Sequence, residues 1–237
     1  MCKPASFIIT EDKVFWSKKT DSHEDIIKEF CLIECDRNGG NGKPMLVRVE
    51  ICPPDEDYKQ PLKEWVFKTD QNDDLLPDWY DAKEAEKRTR RILKDWLKAK
   101  VILPHQAVDA ISTNILAIYG KVKYIGGSAQ VKYIRDSAQV EYICGSAQVE
   151  YICGSAQVEY IRDSAQVEYI RDSAQVEYIC GSAQVEYIRD SAQVKTVGGK
   201  VVICTYNNLS PDILKSSQAV MIDRSGDIVK CYVGKDK

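Results

Sequence analysis

The chain reads as an α+β N-terminal domain followed by an all-β solenoid of nonapeptide repeats, two per 18-residue coil, with a C-terminal β-hairpin cap. Three observations predict this. A nine-residue phrase recurs from Ser128 onward, turn-forming residues occur once in every copy, and two capped helical patterns are confined to the first hundred residues. The expected boundaries are an α+β domain over 1–103, a cap on the solenoid over 104–121, the repeats over 122–206 and a second cap over 207–237.

In the first hundred residues, strand-forming runs occupy Ser6 to Thr10, Lys13 to Trp16, Met45 to Cys52 and Trp65 to Thr69. Polar breakers separate them, among them the loop Asn38-Gly39-Gly40-Asn41-Gly42. Ser22-x-x-Asp25 is a capping signal ahead of Ile26, Ile27 and Phe30. Asp81-x-x-Glu84 is another, ahead of Ala85, Thr89, Ile92, Trp96 and Ala99 at helical spacing. Pro104 resists continuing that second helix and marks the boundary.

The repeated phrase is Ser-Ala-Gln-Val-Glu-Tyr-Ile-Arg-Asp, and its valines run from Val122 through Val131 to Val194 in steps of nine. Side chains along a strand alternate with period two, so an odd repeat sends successive valines to opposite faces unless the chain turns once per copy. The turn belongs at Arg-Asp-Ser, Cys-Gly-Ser or Gly-Gly-Ser, because Gly, Asp and Ser form turns while Gln-Val-Glu-Tyr-Ile favours a strand. A helix is excluded, since nine residues make about two and a half turns and equivalent residues fall on opposite sides.

One nonapeptide spans at most about 30 Å, too little to close a coil around an interior, so two repeats form each coil and contribute two facing strands. The close copies give about four coils at about 4.8 Å each, with less regular sequence adding a coil or so at the ends. Facing sheets about 10 Å apart suit Ala, Val and Ile inside, and place Tyr133, Tyr142, Tyr151, Tyr160, Tyr169, Tyr178 and Tyr187 at a corner or outside, stacked in ladders. Simple alternation from valine, which puts tyrosine inside and isoleucine at the corner, is the competing assignment. Lys200 to Tyr206 follows the period with substitutions, as an atypical terminal repeat. Val220 to Asp223 and Ile228 to Val233, around Arg224-Ser225-Gly226-Asp227, read as a hairpin covering the last sheet edge.

Composition narrows the function. Thirty-three Lys plus Arg against 36 Asp plus Glu, a net charge of -3, lack the basic footprint of a dedicated nucleic-acid binder. Nine cysteines, an odd number, point to free thiols in a reducing compartment. The start, Met1-Cys2-Lys3-Pro4-Ala5-Ser6, lacks the apolar region of a signal peptide, and no apolar run suggests a membrane span, so the expected location is cytoplasmic with no membrane partner.

Two groups of residues are candidates for partner binding. The second helix carries Arg88, Arg90, Arg91 and Lys94 among other basic residues, a pattern for phosphate or an acidic partner, although residues 1–100 hold 19 basic and 21 acidic groups and a solvated ion-paired face is the simpler account. Glu141, Glu150, Glu159, Glu168, Glu177 and Glu186 form a carboxylate column that the two-repeat coil divides into three per face. Stacked like charges repel, so these residues sit wetted or meet cations or a basic partner.

Asp136, Asp163, Asp172 and Asp190 lack the Gly-Gly-x-Gly-x-Asp spacing of calcium rolls. Cys144 and Cys153 fall on opposite faces, and Cys144 and Cys180 lie two coils apart, so neither pair forms a disulfide or metal site. Cys31-x-x-x-Cys35 with Cys52 and His23 is a conceivable zinc set, but the spacing is not that of a zinc finger and buried free thiols are the simpler account. His23 and His105 stand in no nucleophile or metal motif, and no Gly-x-Gly-x-x-Gly, Walker, His-Glu-x-x-His or Gly-x-Ser-x-Gly pattern occurs. No catalytic residue, metal or cofactor is therefore assigned.

Ser-Ala-Gln-Val resembles the short Gly-Asn-Ala-x-Val solenoid repeats of uncharacterised bacterial and phage proteins, which look like an N-terminal α+β module carrying a variable number of copies. The resemblance covers roughly residues 113–206, and it departs in period, nine here against about six there. It implies no activity. The expected function is a non-enzymatic protein-interaction or scaffold role displaying a repetitive surface, with a phage or mobile-element accessory role suggested by the resemblance. The expected partner is a protein or a second copy. The alternatives are an enzyme resembling solenoid acyltransferases, which needs a base such as His105 in a subunit cleft, and a nucleic-acid-associated protein using the basic helix 83–100.

Overall fold

The computed structural model describes residues 4–34 and 44–236. Met1 to Lys3, Cys35 and the loop Asn38 to Gly42 lie outside the described residues. The chain divides into two compact units, residues 1–100 and 101–237.

The first unit holds β1 (Ser6–Ile9), β2 (Val14–Phe15), α1 (His23–Glu29), β3 (Val47–Cys52), β4 (Val66–Thr69) and α2 (Ala82–Lys100). The strands form one antiparallel sheet in the order β2-β1-β3-β4. Both capping signals operate: Ser22 Oγ accepts from the Asp25 amide at 3.3 Å, and Asp81 Oδ1 accepts from the Glu84 amide at 2.8 Å. Helix α1 buries Ile26 and Ile27 against Ile8 and Leu46. Helix α2 buries Ala85, Thr89, Leu93, Trp96 and Lys100, and Trp96 meets Trp65 edge-on at 6.2 Å. The surprise on that stripe is Lys100. It is buried beside Asp21, 3.6 Å away, and Asp21 also accepts from the Trp96 indole at 2.9 Å.

The second unit is a two-walled β-solenoid of about seven coils. Its strands are β5 (Val101–Ile102), β6 (Ala107–Ile111), β7 (Ile115–Ile118), β8 (Lys121–Ile125), β9 (Gln130–Ile134), β10 (Gln139–Ile143), β11 (Gln148–Ile152), β12 (Gln157–Ile161), β13 (Gln166–Ile170), β14 (Gln175–Ile179), β15 (Gln184–Ile188), β16 (Gln193–Val197), β17 (Val202–Thr205), β18 (Val220–Asp223) and β19 (Lys230–Val233). Even-numbered strands from β6 to β16 make a six-stranded sheet, and the odd-numbered strands with β18 make a nine-stranded one. Within the repeats each strand pairs in parallel with its counterpart 18 residues away, as Val140 does with Val158, while the first coils are shorter, with offsets of 14 residues for β6–β8 and 16 for β5–β7 and β7–β9. The segment 104–121, read from the sequence as a cap, supplies strands of these same sheets, and so does 201–223. This is why the coils outnumber the four or so counted from the close copies alone. The hairpin is formed, with β18 antiparallel to β19.

Alanine, valine and isoleucine fill the interior. From Ala129 to Ala192, and through the matching valines and isoleucines, exposure runs from 0% to 4%, in one cluster reaching from Ile102 to Met221. The odd period is absorbed in two places. Glu and Tyr both face away from the core, which breaks alternation once per strand, and the turn reverses the chain. At the turn the backbone enters the left-handed region, with φ 60° at Asp163 and 66° at Gly154. Glycine adopts that conformation without penalty and aspartate tolerates it, so these two residue types interchange at this position. Aspartate adds a contact, since the Asp172 carboxylate accepts from the Gly154 amide one coil earlier at 2.8 Å.

Candidate interaction surface

Each wall of the solenoid presents the same three outward columns, Gln, Glu and Tyr, repeated at the strand spacing of about 4.8 Å. On the six-stranded wall the middle column reads Asp109, Lys123, Glu141, Glu159, Glu177, Lys195, so the three glutamates lie between two lysines, and Lys195 pairs with Glu177. On the other wall Lys132 precedes Glu150, Glu168 and Glu186. The division into three per face follows the sequence expectation. The glutamines add an amide ladder, with Asn114 donating to Gln130 at 3.3 Å and Gln130 to Gln148 at 3.4 Å.

The tyrosines stack face to face. Tyr124, Tyr142, Tyr160 and Tyr178 form one ladder with ring centroids 4.9 to 5.2 Å apart. Tyr133, Tyr151, Tyr169 and Tyr187 form the other, at 4.8 to 5.4 Å. Arginines at the turn lie on these rings: Arg162 is 5.0 Å from the Tyr142 ring, Arg171 is 5.0 Å from Tyr151, and Arg189 is 4.7 Å from Tyr206. Burial within the stack, followed by the neighbouring glutamates, raises the Tyr151, Tyr160 and Tyr169 hydroxyls above their ordinary ionisation range.

Cysteines share the arginine position. Cys153 is buried, Cys144 and Cys180 are half-buried, and burial raises the thiols of Cys153 and Cys180. These two are packing thiols, held in the protonated form. An open trough of about 750 Å³ runs along the six-stranded wall, lined by Gln139, Gln157, Glu141, Glu159, Glu177 and Lys123 among others.

The structure separates the four basic candidates on α2. Arg88 donates to the carbonyls of Glu11 and Thr10 at 3.0 and 3.1 Å, and Arg90 donates to those of Leu62 and Trp65 at 2.9 and 2.7 Å. These two hold α2 to its own domain. Arg91 and Lys94 are exposed to solvent. His105 is exposed in the turn between β5 and β6.

Of the thiol group considered with His23, Cys31 is exposed rather than buried, standing just past the end of α1 at a left-handed backbone position with φ 51°, and Cys52 is half-buried. In the sequence His23 stands in no ligand motif, and nothing marks Glu50 or Asp70. The structure brings one ligand atom from each of the three within 4.8 Å of the others. Their positions are far apart along the chain, and only the β3–β4 register and the placement of α1 on the sheet unite them.

The fold thus defines a β-solenoid protein with a separate α+β domain. No protein-family model matches the chain, and neither a curated protein nor a solved structure matches it. Among the described residues, no helix is long and apolar enough to cross a membrane.

Proposed function

We propose that the chain is a non-enzymatic interaction protein whose solenoid walls bind a protein partner polyvalently. The observation that supports this is the in-register repetition of Gln, Glu and Tyr on both walls, with the three glutamates of one wall flanked by Lys123 and Lys195. A partner carrying basic or amide side chains at multiples of the strand spacing would engage several coils at once, and linked weak contacts multiply into avidity. Because each coil touches only its neighbours, copy number can change without altering the fold, and affinity would change with it. A phage or mobile-element accessory role fits a surface that lengthens by duplication.

The test immobilises the intact chain and compares it with the Glu141→Lys, Glu159→Lys, Glu177→Lys triple variant and with a chain lacking one 18-residue coil. Capture from a cell extract should be lost in the charge-reversed protein and weakened stepwise in the shortened one. Turnover of a small substrate by the intact chain, with capture indifferent to both changes, would overturn the reading.

A further inference from the structure

We propose that His23, Glu50 and Asp70 in the first domain form a binding site for a first-row divalent cation, with zinc the best match to the donor set. The site is independent of the role assigned to the solenoid walls. Its three residues come from three elements: His23 opens α1, Glu50 lies inside β3, and Asp70 follows β4. The Asp70 amide donates to the Arg48 carbonyl at 2.8 Å, extending the β3–β4 pairing by one residue and fixing Asp70 beside the sheet.

The histidine is oriented as a ligand. Its Nε2 stands 3.1 Å from the Val49 carbonyl oxygen, which can only accept, so Nε2 carries a proton and the ring is held with Nδ1 facing the Asp70 carboxylate. A second nitrogen held by a backbone carbonyl is the usual support of a metal-bound histidine. The Nδ1 to Asp70 Oδ2 separation is 3.5 Å. That is long for a charge-assisted hydrogen bond, about 2.7 to 2.9 Å. It matches the edge of a tetrahedron, about 3.4 Å, around an ion with bonds of about 2.1 Å.

Burial points the same way. His23 is 1% exposed and Glu50 is 3% exposed, while Asp70 is only partly covered. The buried Glu50 carboxylate and the partly covered Asp70 carboxylate each place an oxygen within 4.8 Å of the histidine nitrogen, and a divalent cation among the three offsets the cost of bringing the carboxylates together. The nearby ammonium of Lys68 contacts Asp70 through its other oxygen, Oδ1, at 3.5 Å, and leaves Oδ2 directed at the histidine. One imidazole and two carboxylates without sulfur suit zinc and its first-row neighbours. The partly open Asp70 side leaves a coordination position for water or an incoming group. This donor set shares only His23 with the thiol grouping suggested by sequence.

The experiment titrates chelator-stripped, full-length protein with Co²⁺ alone and follows the visible spectrum, then displaces the ion with Zn²⁺. One equivalent should bind at micromolar concentration with ligand-field bands and no thiolate-to-cobalt charge transfer. The Asp70→Asn and Glu50→Gln variants, each checked for folding by tryptophan fluorescence, should bind at least about tenfold more weakly. Absence of a bound equivalent, a first equivalent with thiolate charge transfer, or full affinity in the folded variants would each overturn the proposal. Should the variants fail to fold, the wild-type spectrum alone decides.

Discussion

The two units solve the same problem in opposite ways. In the solenoid the core columns are aliphatic, and the polar side chains of the repeats stand on the walls or cap the turns. The first domain instead buries Lys100, Glu50, His23, Thr89 and Ser6. Apolar burial contributes stability wherever it occurs, whereas a buried charge needs a specific partner and is destabilising without it. The solenoid is therefore tolerant and extensible, suited to presentation. The first domain depends on a few specific contacts, and there a site for chemistry or a metal has the surroundings it needs.

The most severe test of that contrast is Asp21→Ala. Lys100 would keep its buried position with its counter-charge removed, a change that costs about 3 to 5 kcal/mol. All four tryptophans, Trp16, Trp65, Trp79 and Trp96, lie in the first domain, so the urea midpoint of tryptophan fluorescence reports this unit alone. A midpoint unchanged from wild type would show that the Asp21–Lys100 pair is dispensable.

A smaller loss is expected in the solenoid from Ile161→Ala. Ile161 is fully buried, and its truncation costs about 2 to 4 kcal/mol. Circular dichroism in the strand band should record it, and the same change at Ile143 or Ile179 should give nearly the same value because the sites are repeats of one environment. Values that differ widely along the column would contradict the near-uniform stacking.

How much of the molecule is legible in its sequence follows from the same contrast. The solenoid is local in its logic: an odd period, a strand former and a turn former give the coil, and the narrow gap between the walls favours Ala, Val and Ile inside over the competing tyrosine-in assignment, which the ladders of Tyr142 and Tyr160 settle. Its length exceeds what the close copies imply because Ile115 to Ile118 and Val220 to Asp223 keep the coil geometry after losing the phrase. In the first domain the helices are visible through their caps, yet their side-chain partners are not. Nothing near Arg90 in sequence indicates that the carbonyls of Leu62 and Trp65 take up its guanidinium, and nothing near His23 points to Glu50 or Asp70.

The turn offers a finer comparison within one coil. Asp163→Gly keeps the left-handed backbone and gives up only the hydrogen bond to the Gly145 amide, 3.0 Å long. Asp163→Ala gives up the bond and also strains the backbone, costing about 1 to 2 kcal/mol in all. The glycine variant should therefore unfold later in urea than the alanine variant. The reverse order would remove the conformational explanation for the Gly and Asp interchange.

The smallest effect separates burial from charge on the walls. Glu168 lies beside both Tyr151 and Tyr169, whose hydroxyls are raised first by burial and second by glutamate charge. A phenol is neutral when protonated, so a raised folded value means that the native chain keeps these protons to higher pH than the unfolded chain does. The associated stability is complete below the unfolded value, about 10, and is lost as pH climbs through the folded one. Glu168→Gln should lower both titrations, followed by NMR of labelled tyrosine, without returning them to the ordinary range, because burial is the larger cause. The urea midpoint at neutral pH, far below either titration, should stay close to wild type. Full return to the ordinary range would make charge the dominant influence, and the stacked rings would then be far wetter than their half-buried ladders indicate.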